Sequence, residues 1–344
     1  MLLEIETLPG LKEITLTEME QYFDSKLEVV PCDGEDTIRV NYDLSPSDFH
    51  GLRTAASIYL LLHFDIPRPN ALLGHQHFHR LTGQVDRVRG MHPSGSFKTF
   101  RVGAAGKNSS VFERLKDEIA EYTHMANDPE DADLFFRVRP SQVESKGWDV
   151  LLRTTPRPLL TRSWRVCNMF GALNAAVAAA MIRLTCPQEN DRFFNPMCGS
   201  GTLLIERLAY GRTQLTLGCD TNPGALDCAA QNIRAAGFEN QAGLLNIDAR
   251  ILALPDNSFD VICTDLPWGH QIGSHDDNTE LYPAVMRELT RVCAKDGRMV
   301  IITHEINLFK EVLANFADDW TLWSAMPVLQ GGLHPHIYLL GRSG

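Results

Sequence analysis

Across its 344 residues the chain has no run of ~18 uncharged apolar residues, the length needed to cross a bilayer. The longest apolar stretch, around Ala172 to Ile182, is alanine-rich and interrupted by Asn174. The first residues, MLLEIETLPG, carry Glu4 and Glu6 where a secretory leader needs basic side chains, so export is not expected. The eight cysteines, at positions 32, 167, 186, 198, 219, 228, 263 and 293, form no Cys-x-x-Cys pair and no regular spacing. Several sit in apolar runs, as reduced core thiols do in a cytosolic protein, and a cytoplasmic location is expected. Internal repeats and low-complexity segments are also absent.

What remains is an ordinary globular composition, 44% hydrophobic and 22% charged, in a chain long enough for two or three domains. A net charge of −11 argues against a nucleic-acid partner when taken whole. Its distribution argues otherwise. From Arg80 to Lys107 six basic residues (Arg80, Arg87, Arg89, Lys98, Arg101, Lys107) face one acid, Asp86. From Arg137 to Arg165 seven (Arg137, Arg139, Lys146, Arg153, Arg157, Arg162, Arg165) face two, Glu144 and Asp149. A local basic surface on an acidic protein can hold phosphates. Scattered solvated arginines would give the same count.

The chain changes character near residue 165. Beyond it, strand–turn–helix units repeat in the order of a parallel sheet. Strands are expected at Phe193–Phe194, Leu215–Cys219, Leu244–Ile247, Phe259–Thr264 and Arg298–Thr303, with a last one at Ile337–Leu340. Helices are expected at Leu203–Ala209, Pro223–Ala236 and Leu281–Cys293. Ligands of such open α/β sheets bind at the carboxyl ends of the strands. The earlier half reads as α+β. It has helices near Leu16–Phe23, Asp48–Leu62 and Ser110–Glu121, and strands near Ile38–Asn41, Phe97–Val102, Leu134–Val138 and Trp148–Thr154.

The strongest signal is Asn195-Pro-Met-Cys-Gly-Ser-Gly-Thr202 between a strand and a helix. Gly199 and Gly201 let the backbone bend and approach a ligand at the helix N-terminus. A bare Gly-x-Gly also serves as a plain connector. Here, however, Asp220 ends the next strand, where a carboxylate can accept both hydroxyls of a ribose. Asp248 follows the third strand, within reach of an adenine amine. The dinucleotide pattern G-x-G-x-x-G fails at this turn, because Leu204 stands at its last position.

The fourth strand ends in Asp265-Leu-Pro-Trp-Gly269. An exocyclic base amine is a poor nucleophile because its lone pair is delocalised into the ring. A transferase must hold that nitrogen with acceptors so that the lone pair aims at the donor carbon. The Asp265 carboxylate and the Leu266 carbonyl can accept its two N–H groups, Pro267 stiffens the turn, and Trp268 offers a stacking face. Asp265 can also take the released proton. The set points to S-adenosylmethionine-dependent methylation of a base amine. His75-Gln-His77-Phe-His79 has no Cys or carboxylate nearby in sequence to complete a metal site, so a solvated or RNA-facing surface is expected and no metal. His334-Pro-His336 reads as a turn. Cys198, inside the cofactor turn, is expected to pack beneath the cofactor.

Together these motifs resemble the THUMP-domain family of tRNA guanine-N2 methyltransferases over nearly the whole chain. Ser96–Val102 followed by Ser110–Glu121 looks like the THUMP strand and helix. Arg162-Ser-Trp-Arg165 with Gly171-Ala-Leu-Asn174 is similar to the family's entry into its catalytic domain. Asn195–Thr202 matches D-P-x-C-G-S-G-T with Asn195 in place of Asp, and Asp265–Gly269 matches D/N-[PL]-P-[YFW]-G. The resemblance implies an α/β fold: a Rossmann-like S-adenosylmethionine methyltransferase sheet preceded by ferredoxin-like and THUMP α+β domains. The implied ranges are 1–50 (ferredoxin-like), 51–156 (THUMP), 157–170 (linker) and 171–344 (methyltransferase). The cofactor set is expected to be Asn174, Asn195, Pro196, Met197, Cys198, Gly199, Gly201, Thr202, Asp220, Thr221, Asp248, Ala249 and Asp265. Arg101, Lys107, Arg153, Arg157, Arg162 and Arg165 are expected to contact tRNA, and the protein to be a monomer without a membrane partner. Two other readings stay open. One is an amino-methyltransferase for ribosomal RNA or DNA bases, adenine N6 included. The other is a non-catalytic RNA-binding protein that keeps the cofactor fold.

Overall fold

The computed structural model describes residues 1–23, 27–269 and 274–343. Gly344, the end of the expected last domain, lies outside them. The chain divides into two compact units, one of residues 1–7 and 15–160, the other of residues 8–14 and 161–344.

The first unit is built on one eight-stranded sheet. Its strands are β1 (Leu2–Thr7), β2 (Glu28–Val30), β3 (Thr37–Asn41), β4 (Ala55–Phe64), β5 (Thr99–Ala104), β6 (Ala126–Asn127), β7 (Leu134–Pro140) and β8 (Trp148–Arg153). Their spatial order is β2-β3-β1-β4-β8-β7-β5-β6. Helices α1 (Lys12–Phe23), α2 (His75–Gly90) and α3 (Ser110–Thr123) contribute to its core. Apolar residues recur on them at helical spacing: Leu81, Val85 and Val88 on α2, and Phe112, Leu115 and Ile119 on α3.

Two expectations fail here. The helix expected over Asp48–Leu62 is a short 3₁₀ turn, Pro46–Gly51, followed by the central strand β4. β4 is buried at nearly every position between β1 and β8, so it lacks the alternation that marks a half-exposed strand. For the same reason no domain boundary falls at residue 50: β4 pairs directly with β1 in a single sheet. The histidine-rich run lies on α2, where His75 and His79 are exposed and stack on each other, and His77 packs edge-on against Phe64.

The second unit carries the α/β sheet. Its elements are α4 (Ala175–Leu184), β9 (Arg192–Pro196), α5 (Thr202–Tyr210), β10 (Leu215–Cys219), α6 (Pro223–Ala235), β11 (Gly243–Leu245), β12 (Phe259–Asp265), α7 (His275–Val292), β13 (Cys293–Thr303), α8 (Ile306–Ala314), β14 (Trp320–Pro327) and β15 (His336–Arg342). The strand order is β11-β10-β9-β12-β13-β15-β14. Strands β9 to β13 run parallel; β15 is antiparallel to both β13 and β14. The order reverses at β9, which has β10 on one side and β12 on the other. That is where open α/β sheets bind ligands. The alanine-rich stretch proves to be α4, with residues 175–182 all buried, as a helix apolar on every side must be. No helix among the described residues is long and apolar enough to cross a membrane.

The basic segments of the first unit are in good part neutralised internally. Glu4, 1% exposed, accepts from Arg39 and Arg139, and Glu6 pairs with Arg137. Arg153, expected on tRNA phosphate, is corrected by the structure. It is 3% exposed and donates to the carbonyls of Ala132, Asp133, Thr155 and Pro156. Burial lowers its pKa. Arg157 is half exposed and pairs with Asp131 and Asp133; Arg101 lies over the Phe135 ring at 4.2 Å; Lys107 is exposed. Arg153→Ala would leave buried carbonyls unsatisfied. It should cost about 2–4 kcal/mol in denaturant unfolding, whereas Lys107→Ala should be close to neutral.

Candidate active site

The turn that follows β9 is shaped by backbone that only glycine tolerates easily. Gly201 caps α5 with φ +80°, and a Cβ there would lie 3.1 Å from Ala229 on α6. Cys198 N–H donates to the Cys219 carbonyl at 2.7 Å, tying the turn to the end of β10. Asp220 accepts from Gly199 N–H through Oδ2 and from Asn222 N–H through Oδ1, both at 2.9 Å. Its carboxylate is therefore held at the strand end beside the turn.

These groups border a cavity of about 490 Å³. Asn195, Met197, Cys198, Gly199, Thr202, Asp220, Thr221, Asp265, Leu266, Pro267 and Trp268 line it, which brings together residues from three strand ends. Five expected cofactor residues do not. Pro196 and Gly201 shape the turn from behind. Asn174 caps α4 through its side chain and donates its N–H to Gln330 Oε1. Asp248 is gripped by Arg250 at 2.6 Å, which holds its carboxyl below the usual range, and Ala249 is buried beside it. Met169–Leu173, Asn222, Gln330, Gly331 and Leu333 also line the cavity; of these only Gly171, Ala172 and Leu173 belong to a motif legible in the sequence. Gln330 accepts from Asn174 and donates to the Ala172 carbonyl, joining two loops far apart in the chain. The signal in the sequence that could have marked this turn is the Gly331–Gly332 pair, both with positive φ.

Arg162 and Arg165 are the second correction to the expected tRNA contacts. Arg162 pairs with buried Glu206 at 3.0 Å. Arg165 donates to the Leu173 carbonyl and to Thr202 Oγ1. Both fasten the 162–173 segment to α5. Cys167 and Cys228, expected as reduced thiols, form a disulfide; their separation of 61 residues gave no sequence signal.

Asp265 closes β12. Burial pushes its carboxyl up to about 7, partly opposed by a 2.8 Å hydrogen bond from Trp268 Nε1. Trp268 thus orients the carboxylate, a role that neither Phe nor Tyr at this position would fill in the same way. Asn195 donates through Nδ2 to the Cys263 carbonyl at 2.8 Å, which an ionised Asp could not do. Its Oδ1 is buried without a partner among the described residues. Burial pushes the Cys198 thiol well up, so it packs at the cavity wall rather than acting as a nucleophile. An orphaned acceptor, a fixed carboxylate at the end of β10 and a cavity of this size fit a nucleoside cofactor with a cationic amino-acid end.

Fold and site together define a Rossmann-like methyltransferase domain. Residues 162–336 match the UPF0020 family, the RMKL-like methyltransferase domain, and the chain belongs to that family. It is 34% identical over 183 residues to "tRNA (guanine(6)-N(2))-methyltransferase THUMP3" of Bos taurus, covering 50% of this chain and 36% of the relative. The chain thus aligns with about a third of that relative's length. It is 26% identical over 351 residues to "tRNA (guanine(6)-N2)-methyltransferase" of Thermus thermophilus, covering 99% of this chain and 100% of the relative. The crystal structure of TrmN from Thermus thermophilus superposes with a TM-score of 0.75 at 22% identity, covering 99% of both chains.

The elevated Asp265 pKa has a consequence for stability. A carboxyl near 7 in the fold, against an ordinary 3.8, holds its proton more tightly folded than unfolded. Its contribution therefore favours the fold below about pH 4 and is lost as pH rises through about 7. Asp265→Asn cannot ionise. Its melting temperature should gain on the parent's across that window and level off above it. A difference that stays flat with pH in cofactor-free melts would mean that the carboxyl is not desolvated.

Proposed function

We propose that the protein methylates the exocyclic N2 amine of a guanosine in tRNA, with S-adenosylmethionine as methyl donor. The observation that carries this reading is Asp265. It is a desolvated carboxyl at the end of β12, held by Trp268, on the same cavity as the glycine turn and Asp220. The relatives' names point to guanine 6 as the target.

When bound, S-adenosylmethionine supplies a methyl group on a sulfonium. Asp220 would hold the ribose and Asn195 Oδ1 the ammonium; Asp248 would reach adenine only by releasing Arg250, an exposed pair that is cheap to break. Asp265 and the Leu266 carbonyl would accept the two N–H groups, which fixes the direction of the N2 lone pair. Once methylated, the substrate nitrogen has one proton to shed. Asp265, its proton affinity raised by burial, is suited to accept it. Stacking of the extracted base on Trp268 contributes roughly 1–3 kcal/mol. In this reading the unit built on the eight-stranded sheet, residues 1–7 and 15–160, combines the ferredoxin-like and THUMP elements that hold tRNA. Arg101, Lys107 and Arg157 are then the phosphate contacts left after Arg153, Arg162 and Arg165 are taken up by partners within the fold.

Asp265→Ala should abolish methylation and leave S-adenosylmethionine affinity nearly unchanged, while Asp220→Ala should weaken that affinity at least about tenfold. Trp268→Phe removes the donor that favours ionised Asp265, so the acidic limb of the kcat–pH profile should move to higher pH. Nucleoside mass spectrometry should find N2-methylguanosine; methyl at adenine N6, or a fully active Asp265→Ala protein, would overturn the reading.

A further inference from the structure

We propose that Tyr282 and Asn278 are positioning residues for the transfer step: they pin the Pro267 carbonyl and thereby set the direction of the Leu266 carbonyl. This rests on the reading of Asp265–Trp268 as the site that holds the substrate amine.

Tyr282 OH donates to the Pro267 carbonyl at 2.5 Å and Asn278 Nδ2 donates to the same oxygen at 2.9 Å. The two residues sit one turn apart on α7 and both are fully buried. Because the single Tyr282 proton goes to Pro267, the 2.7 Å contact with Thr303 Oγ1 must have Thr303 as donor. Thr303 Oγ1 in turn accepts from Glu305 N–H at 3.0 Å. A directed chain of hydrogen bonds therefore runs from the end of β13 to the active-site turn, each bond polarising the next.

The geometric consequence follows from the backbone. A residue has two soft dihedral angles. At Pro267 the ring locks φ, and two donors on its carbonyl lock ψ. On the other side, Leu266 N–H donates to the Ile302 carbonyl at 3.1 Å. The peptide that carries the Leu266 carbonyl is thus held at both ends. That carbonyl is one of the two acceptors proposed for the amine. A turn made only for packing would not need two buried donors on one carbonyl. Nor would it leave Asn278 Oδ1 buried without a partner among the described residues.

Tyr282→Phe keeps the ring and removes only the donor; Asn278→Ala removes the second. The full chain would be assayed with an unmodified tRNA transcript, with activity normalised to S-adenosylmethionine sites counted by calorimetry. Each single variant should lower kcat about tenfold, with KM for tRNA and cofactor affinity within about twofold. The acidic limb of the kcat–pH profile should stay in place, unlike that of Trp268→Phe, because a carbonyl and not a carboxyl is affected. If Asp265→Ala is inactive but both variants turn over like the parent, or if their loss matches the loss of cofactor sites, the positioning role is wrong and the site reading stands. If Asp265→Ala is active, the site reading falls and the positioning role with it. Should Asn278→Ala fail to fold, Tyr282→Phe decides the matter alone.

Discussion

The site depends on how β9 and β12 part company. Their backbone pairing is confined to Phe193 with Val261 and Phe194 with Ile262. Beyond that point side chains take over. Asn195 donates to the Cys263 carbonyl, and Thr264 Oγ1 donates to the Pro196 carbonyl, across 68 residues of sequence. These two bridges let the strand ends separate without orphaning main-chain groups and keep the glycine turn and Asp265 at a fixed spacing. A buried Asn suits the first bridge because it can donate where a carboxylate cannot, and it still has an acceptor left on the cavity side.

The wall facing this gap is fastened with similar redundancy. Arg162 and Arg165 tie the 162–173 segment to α5, and Asn232 Oδ1 accepts from the N–H groups of Val166 and Cys167. Cys167 is also bonded to Cys228 on α6. A cavity wall made of loop would otherwise carry a large ordering cost on binding. Distributed tethers move that cost into folding.

Charge in the first unit follows a related logic. Glu4 and Glu6 of β1 meet Arg139 and Arg137 of β7 across two intervening strands, and Arg39 completes the set. Neither the net charge of the chain nor a count of basic residues along it measures the surface offered to an anion. Exposure and pairing decide that, and both belong to the folded state.

The sequence alone determined the α/β class of the second unit, its glycine turn, and Asp220 and Asp265 at the ends of β10 and β12, because strand–turn–helix chemistry is local. The parallel strands and most helices fell where the apolar pattern put them. Tertiary structure decided what local pattern does not encode. β4 became a strand because neighbours cover both its faces, and the sheet continues past residue 50 because β4 lies against β1. Gln330 reached the cavity because it lies in the connection between β14 and β15, and β15 folds back antiparallel beside β13. Arg153, Arg162 and Arg165 turned inward because buried carbonyls, a buried carboxylate and the cavity loop needed donors. A guanidinium's sequence neighbours do not say whether its partner will be a phosphate outside the fold or a backbone oxygen within it; only the placement of the acceptors does.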